Sequence, residues 1–85
     1  MIKVGFIGYG SMGSMLVGSL IRSGRIKPEE MIVSTKTQSK LEDIRKLREN
    51  IHVSEDNCEV ARRAKYIFIC VKPLQVKEVL LEIKP

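Results

Sequence analysis

Apolar residues in this chain fall into short runs separated by longer stretches with a helical repeat, and the two patterns alternate along its length. Ile2 to Ile7 (Ile2, Val4, Phe6, Ile7) predicts a short buried strand, with Lys3 near its start and glycine beyond. Ser11 to Ser23 predicts a helix, because Met12, Leu16 and Leu20 recur at helical spacing while Met15, Val17 and Ile21 widen the apolar face. Gly24 stands where a left-handed residue would stop that helix, with Arg22 near its negative end. Arg25 to Glu30, containing Pro28, reads as a surface turn. Met31 to Thr35 is a second strand, and Gln38 to Arg48 a second helix with Leu41, Ile44 and Leu47 on one face. His52 and Val53 mark a brief third strand, and Glu55 to Ala64 a short helix burying Val60, Ala61 and Ala64. Tyr66 to Val71 is the most hydrophobic run and reads as a strand covered on both faces. Pro73 opens a last helix, where proline suits the first turn, with Val76, Val79, Leu80 and Ile83 on its apolar face.

Strands alternating with helices imply a parallel sheet built from right-handed βαβ units, an α/β doubly wound arrangement. Four strands fit in the 85 residues, in the expected order 3-2-1-4. Such domains normally carry about six strands. Residues 1–85 therefore read as the front part of a longer protein.

Composition narrows the class without naming a function. Hydrophobic residues at 44% and charged residues at 29% are a soluble globular balance and exclude a wholly disordered chain. No apolar run approaches the roughly 18 residues of a membrane-spanning helix. Gly5, Gly8, Gly10 and Gly13 interrupt the N-terminal apolar stretch, which does not read as a signal peptide. Cys58 and Cys70, with no second pair and no histidine at ligand spacing, argue against a zinc site or a disulfide scaffold and suit a reducing cytoplasm. The net charge of +5 fits a phosphate-bearing small molecule as well as nucleic acid. The basic residues are scattered, and only two Tyr and two Phe are present to stack bases, so no nucleic-acid partner is expected. Arg45, Lys46 and Arg48, like Arg62, Arg63 and Lys65, read as solvated helix faces, and the lone His52 as structural.

The candidate chemistry lies in Gly8-Tyr9-Gly10-Ser11-Met12-Gly13, a G-x-G-x-x-G that follows a strand and opens a helix. That context makes it a dinucleotide fingerprint of the Rossmann type. Gly8 allows the tight turn, Gly10 the close approach of a pyrophosphate, and Gly13 the packing of helix on strand. Backbone N–H groups from about Gly10 to Met12 then face the phosphates, aided by the helix dipole. The alternative is a glycine-rich turn that binds nothing. No Gly-Lys-Ser/Thr follows, so a Walker loop is excluded.

Ser34, Thr35, Lys36 and Thr37 occupy the position where an NAD site presents a carboxylate to the adenosine ribose. No Asp or Glu appears between Glu30 and Glu42, and Lys40 lies one helical turn further on. Hydroxyls and an ammonium group suit a 2′-phosphate, which favours NADP. The competing explanation is a polar loop that caps the next helix through Thr37. Cys70, Val71, Lys72 and Pro73 leave the fourth strand beside the glycine loop, where backbone could line the nicotinamide ribose. Against this, Lys72 could be a solvated lysine, and Cys70 reads better as a small core residue than as a nucleophile. Asn57 follows the third strand, where its amide could reach the adenosine or simply cap the next helix.

VGFIGYGSMGSMLVGSLIRSG, then IVSTKT, SEDN and IFICVKP, resembles the N-terminal domain of pyrroline-5-carboxylate reductase over essentially the whole chain. The FIGxGxMG opening is shared with coenzyme-F420-dependent NADP reductases, whereas the V-K-P and the Asp-Asn pair are more particular to the pyrroline reductases and their late-competence-protein relatives. The resemblance implies that the glycine loop, including Ser11 and Met12, binds the pyrophosphate. It also implies that Ser34 to Thr37 face the 2′-phosphate, and that Asn57 and Cys70 to Pro73 contact the cofactor. Two positions depart from the usual pattern: Ser11 stands where Asn or Gln is common, and Lys36 where Arg is common. The implied activity is hydride transfer from NADPH to 1-pyrroline-5-carboxylate, giving L-proline. The substrate pocket and dimerising helices would lie in a C-terminal domain outside this sequence, so no catalytic residue is assigned to the chain and the 85 residues alone are expected to be inactive. The alternatives are an F420-dependent NADP oxidoreductase and a dinucleotide-sensing, competence-related protein without turnover.

Overall fold

Val4–Ile7 (β1) and Met31–Ser34 (β2) form the middle of a parallel sheet, with His52–Ser54 (β3) beyond β2 and Tyr66–Ile69 (β4) beyond β1. The structure is a computed structural model and describes residues 2–47 and 50–83. All three strand pairings are parallel, Val4 lying level with both Met31 and Tyr66. The order β3-β2-β1-β4 is the one expected of a Rossmann-type domain.

Two layers of helix cover the sheet. Ser11–Ser23 (α1) and Gln38–Leu47 (α2) pack on one face, where Val17 and Ile44 join Val4, Phe6, Met31 and Val33. Asn57–Arg63 (α3) and Pro73–Ile83 (α4) pack on the other, where Val60 and Val79 join Ile2, Ile7 and Ile32. Every residue of β1 and β2 is buried, as a strand sandwiched between two helical layers requires. Gly24, at φ 73°, ends α1 as expected, its N–H donating to the Ile21 carbonyl. The turn before β2 contains a short 3₁₀ segment, Pro28–Glu30.

Several expectations need correction. β4 is an edge strand and is not covered on both faces. Tyr66 and Phe68 share the α1/α2 side with Val4 and Phe6, but those helices do not extend over them, leaving the two residues 61% and 44% exposed. Phe68 still stacks on Phe6, with ring centroids 5.5 Å apart. Met12 and Met15, at the glycine-loop end of α1, are exposed, so the apolar stripe of that helix narrows to Leu16, Val17, Leu20 and Ile21. Leu80 is exposed as well, and α4 packs through Val79 with Ile83 beside it. α3 starts at Asn57 rather than Glu55, because Asp56 caps it by accepting from the Cys58 N–H at 2.9 Å. Val71 lies beyond the end of β4. Arg48, the expected last residue of α2, and the side chain of Leu47 lie outside the described residues.

Candidate functional site

All four strands point their carboxyl ends toward the same rim, and the loops leaving β1, β2 and β4 enclose a cleft of about 620 Å³ there. This is the crevice at which open parallel sheets bind ligands. Gly8 and Gly10, Ser34 to Thr37, Asn57, and Cys70 to Lys72 all line it. Of the other expected site residues, Ser11 and Met12 are exposed at the start of α1, Gly13 is buried beneath the loop, and Pro73 is the exposed first residue of α4. These four do not line the cleft.

The three glycines of the loop meet different constraints. Gly8 has φ 97°, a backbone conformation that side chains disfavour, and a Cβ there would lie 2.7 Å from the Cys70 carbonyl oxygen. A Cβ on Gly13 would lie 2.6 Å from the Gly8 carbonyl oxygen. At Gly10 a Cβ would meet nothing within 4 Å. Protein packing therefore requires the first and third glycines, and the second leaves open a space that a side chain would fill. Gly10 precedes α1 without a side-chain cap, and the first turn of that helix carries no acidic residue. The N–H groups there, with the positive end of the helix dipole, suit an anion such as a pyrophosphate.

The end of β2 is tied to both neighbouring loops. Ser34, fully buried, donates through Oγ to Asn57 Oδ1 at 2.6 Å, and Asn57 Nδ2 donates to Glu82 Oε1 at 2.7 Å. The side chain of Asn57 therefore points into the site and does not cap α3; Asp56 has that role. Thr35 is buried, its Oγ1 accepting from the Thr37 N–H at 3.3 Å, while the Thr37 carbonyl accepts from the Lys40 and Leu41 N–H groups at the start of α2. This shapes the loop and leaves Lys36 exposed at its tip, on the rim of the cleft.

On the opposite side, the Cys70 N–H donates to the Ile7 carbonyl at 2.7 Å, which holds the end of β4 against the glycine loop. Burial pushes the Cys70 thiol above its ordinary range, which disfavours the nucleophilic thiolate. Tyr9, in the loop, is likewise raised, first by burial and then by the negative charge of Asp43. The Lys72 N–H donates to Gln75 Oε1 at 3.3 Å, and its side chain is exposed.

Sequence reasoning missed the contribution of α4. Gln75, Glu78, Val79 and Glu82 all line the cleft. Their spacing places them on one helical face, a signal present in the sequence but masked by the adjacent apolar stripe.

A family model described as NADP oxidoreductase, coenzyme F420-dependent, matches residues 3–85. The chain belongs to that family. It is 36% identical over 84 residues to ComE operon protein 4 of Bacillus subtilis (strain 168), and 40% identical over 81 residues to pyrroline-5-carboxylate reductase of Escherichia coli (strain K12). These matches cover 99% and 95% of the chain and 31% and 30% of the two relatives. A crystal structure of Plasmodium falciparum pyrroline carboxylate reductase with NADP bound superposes with a TM-score of 0.81 at 31% identity, over 99% of this chain and 29% of that one. The chain thus spans about three-tenths of the length of these relatives. The resemblance drawn from its motifs is borne out, as is the doubly wound fold.

Proposed function

We propose that the chain is the NADP-binding unit of a cytoplasmic reductase that converts 1-pyrroline-5-carboxylate to L-proline. The observation that carries this reading is the open space at Gly10, set between two glycines that packing requires and facing an uncapped helix N-terminus. A turn that bound nothing would have no need of that space. The N–H groups of Ser11 and Met12 hold the pyrophosphate, and Lys36 with the Thr35 and Thr37 hydroxyls meets the 2′-phosphate. Asn57 orients the adenosine ribose. The backbone from Cys70 to Pro73 lines the nicotinamide ribose, with Lys72 beside it. NADPH, when bound, supplies the hydride that reduces the C=N bond of the substrate. The chain's own residues bind and orient. The groups that grip the imine, together with the helices that make the parent a homo-oligomer, belong to a C-terminal domain outside these 85 residues, and neither nucleic acid nor membrane enters this reading.

A second reading follows from the family description, in which the parent exchanges hydride between coenzyme F420 and NADP. The two share the cofactor site and differ in the partner substrate.

The test is a calorimetric titration of the chain and its Lys36→Asp variant with NADPH and NADH at one ionic strength, since salt screens the phosphate interaction. Lys36 contributes a charge-assisted hydrogen bond of about 1.5–3 kcal/mol, so losing it weakens NADPH binding by about 10- to 150-fold. NADH binding stays level or tightens, because the new carboxylate can accept from the ribose 2′-hydroxyl. An unchanged NADPH-to-NADH ratio would show the Ser34 to Thr37 loop to be only a helix cap.

A further inference from the structure

No carboxylate occurs between Glu30 and Glu42 in the sequence, yet the folded chain has one at the end of β2, and α4 delivers it. Glu82 Oε2 lies 3.8 Å from Lys36 Nζ, while Glu82 Oε1 accepts from Asn57 Nδ2 at 2.7 Å. Cys58 Sγ donates to the Glu82 carbonyl at 3.2 Å, anchoring this turn of α4 to the start of α3. Glu82 thus engages Lys36, the cation offered to an adenosine 2′-phosphate, and Asn57, the amide offered to its ribose. Glu78 brings a second carboxylate to the same cleft, against Lys36, Lys40 and Lys72.

Resting on the NADP reading above, we propose that Glu82 is a specificity-determining residue that acts against the 2′-phosphate. It is an internal anion that competes with the phosphate for Lys36 and so narrows the preference for NADPH over NADH.

Two effects of opposite sign decide the outcome. Glu82 holds Lys36 near the site, which favours phosphate binding, and it places a negative charge beside an incoming anion, which opposes it. The first effect is small, because the Lys36 and Glu82 side chains are 73% and 38% exposed, and ion pairs this open restrain a side chain weakly. The second acts on a phosphate carrying close to two charges and drawn to the Lys36 ammonium, which lies 3.8 Å from Glu82, well inside the Debye length of about 8 Å. Repulsion and competition therefore outweigh pre-positioning. NADH has no 2′-phosphate and escapes both effects, and the Asn57 contact that bears on its ribose is kept when the Glu82 carboxylate becomes an amide.

Glu82→Gln isolates the charge, since the amide oxygen still accepts from Asn57 Nδ2 and the link to Ser34 is kept. The experiment titrates NADPH and NADH into the wild-type chain, Glu82→Gln, Lys36→Gln and the double variant at one ionic strength. Glu82→Gln should tighten NADPH about 2- to 5-fold, change NADH less than about twofold, and lose part of its effect when Lys36 is already Gln, because the competition for Lys36 is then gone while the repulsion remains. Unchanged or weaker NADPH binding in Glu82→Gln, an equal gain for NADH, or a gain that persists undiminished without Lys36 each overturns the proposal. Lys36→Gln with unaltered NADPH affinity overturns the phosphate reading beneath it as well. An affinity that depends on Lys36 but not on Glu82 overturns the role of Glu82 alone.

Discussion

Gly8, Gly10 and Gly13 belong to one motif but answer to different physics. Gly8 is required by its backbone angle, Gly13 by the carbonyl pressed against it, and Gly10 by nothing within the protein itself. The consequence is a separation of stability from binding. Gly10→Val should fold normally, since its Cβ meets no atom within 4 Å and its φ of −89° suits any residue. It should weaken NADPH binding by more than about 100-fold, because at least two charge-assisted hydrogen bonds to the pyrophosphate are blocked. Gly13→Val should do the reverse first, losing about 1–3 kcal/mol or more of stability as the Gly8 carbonyl is displaced. Thermal melts paired with calorimetry distinguish the two, and equal melting losses in both variants would contradict this division. At this scale the sequence was informative wherever a residue acts through its neighbours in the chain. The glycine spacing and the hydroxyls after β2 were legible for that reason. Glu82 was not, because its role depends on a contact with Lys36 made through tertiary packing.

The start of α3 shows how an element aims a side chain. Asp56 caps the helix, and the next residue, Asn57, is thereby turned inward to join Ser34 and Glu82. Sequence alone left Asn57 between a cap and a ligand contact, because adjacent Asp and Asn residues compete for the same position and only the backbone direction decides. Asp56→Ala removes the cap and should cost about 0.5–2 kcal/mol. In a domain this small that lowers the melting temperature by about 2–16 °C at 4–8 °C per kcal/mol. Thermal denaturation followed by circular dichroism checks it, and a melt unchanged within error would mean that water replaces the cap at no cost. Strand assignment was least faithful at β4. A run as apolar as YIFICV reads as fully buried, but hydrophobicity does not report how far neighbouring helices reach across a sheet.

The alternation of strand and helix gives a parallel sheet of right-handed crossovers, and the Rossmann-type glycine fingerprint selects the order 3-2-1-4 over the other doubly wound order. That order has a consequence in time. β1 is the first strand made, but it lies between β2 and β4, and β4 is the last of the four described strands to leave the ribosome. The phosphate cradle shares this delay. Its motif is complete at Gly13, yet its shape relies on the Cys70 N–H bonded to Ile7 and on the Cys70 carbonyl packed over Gly8. Closing so long a loop is slow compared with forming a helix. In refolding from denaturant, helical signal should therefore return before the capacity to bind NADPH, which should appear with the slowest phase that docks β4. Stopped-flow circular dichroism run beside NADPH fluorescence measures both, and binding that returned with the fast helical phase would contradict this order. A nascent chain can thus display the whole fingerprint while being unable to hold the nucleotide, and it gains that ability only when residues far downstream have been synthesised.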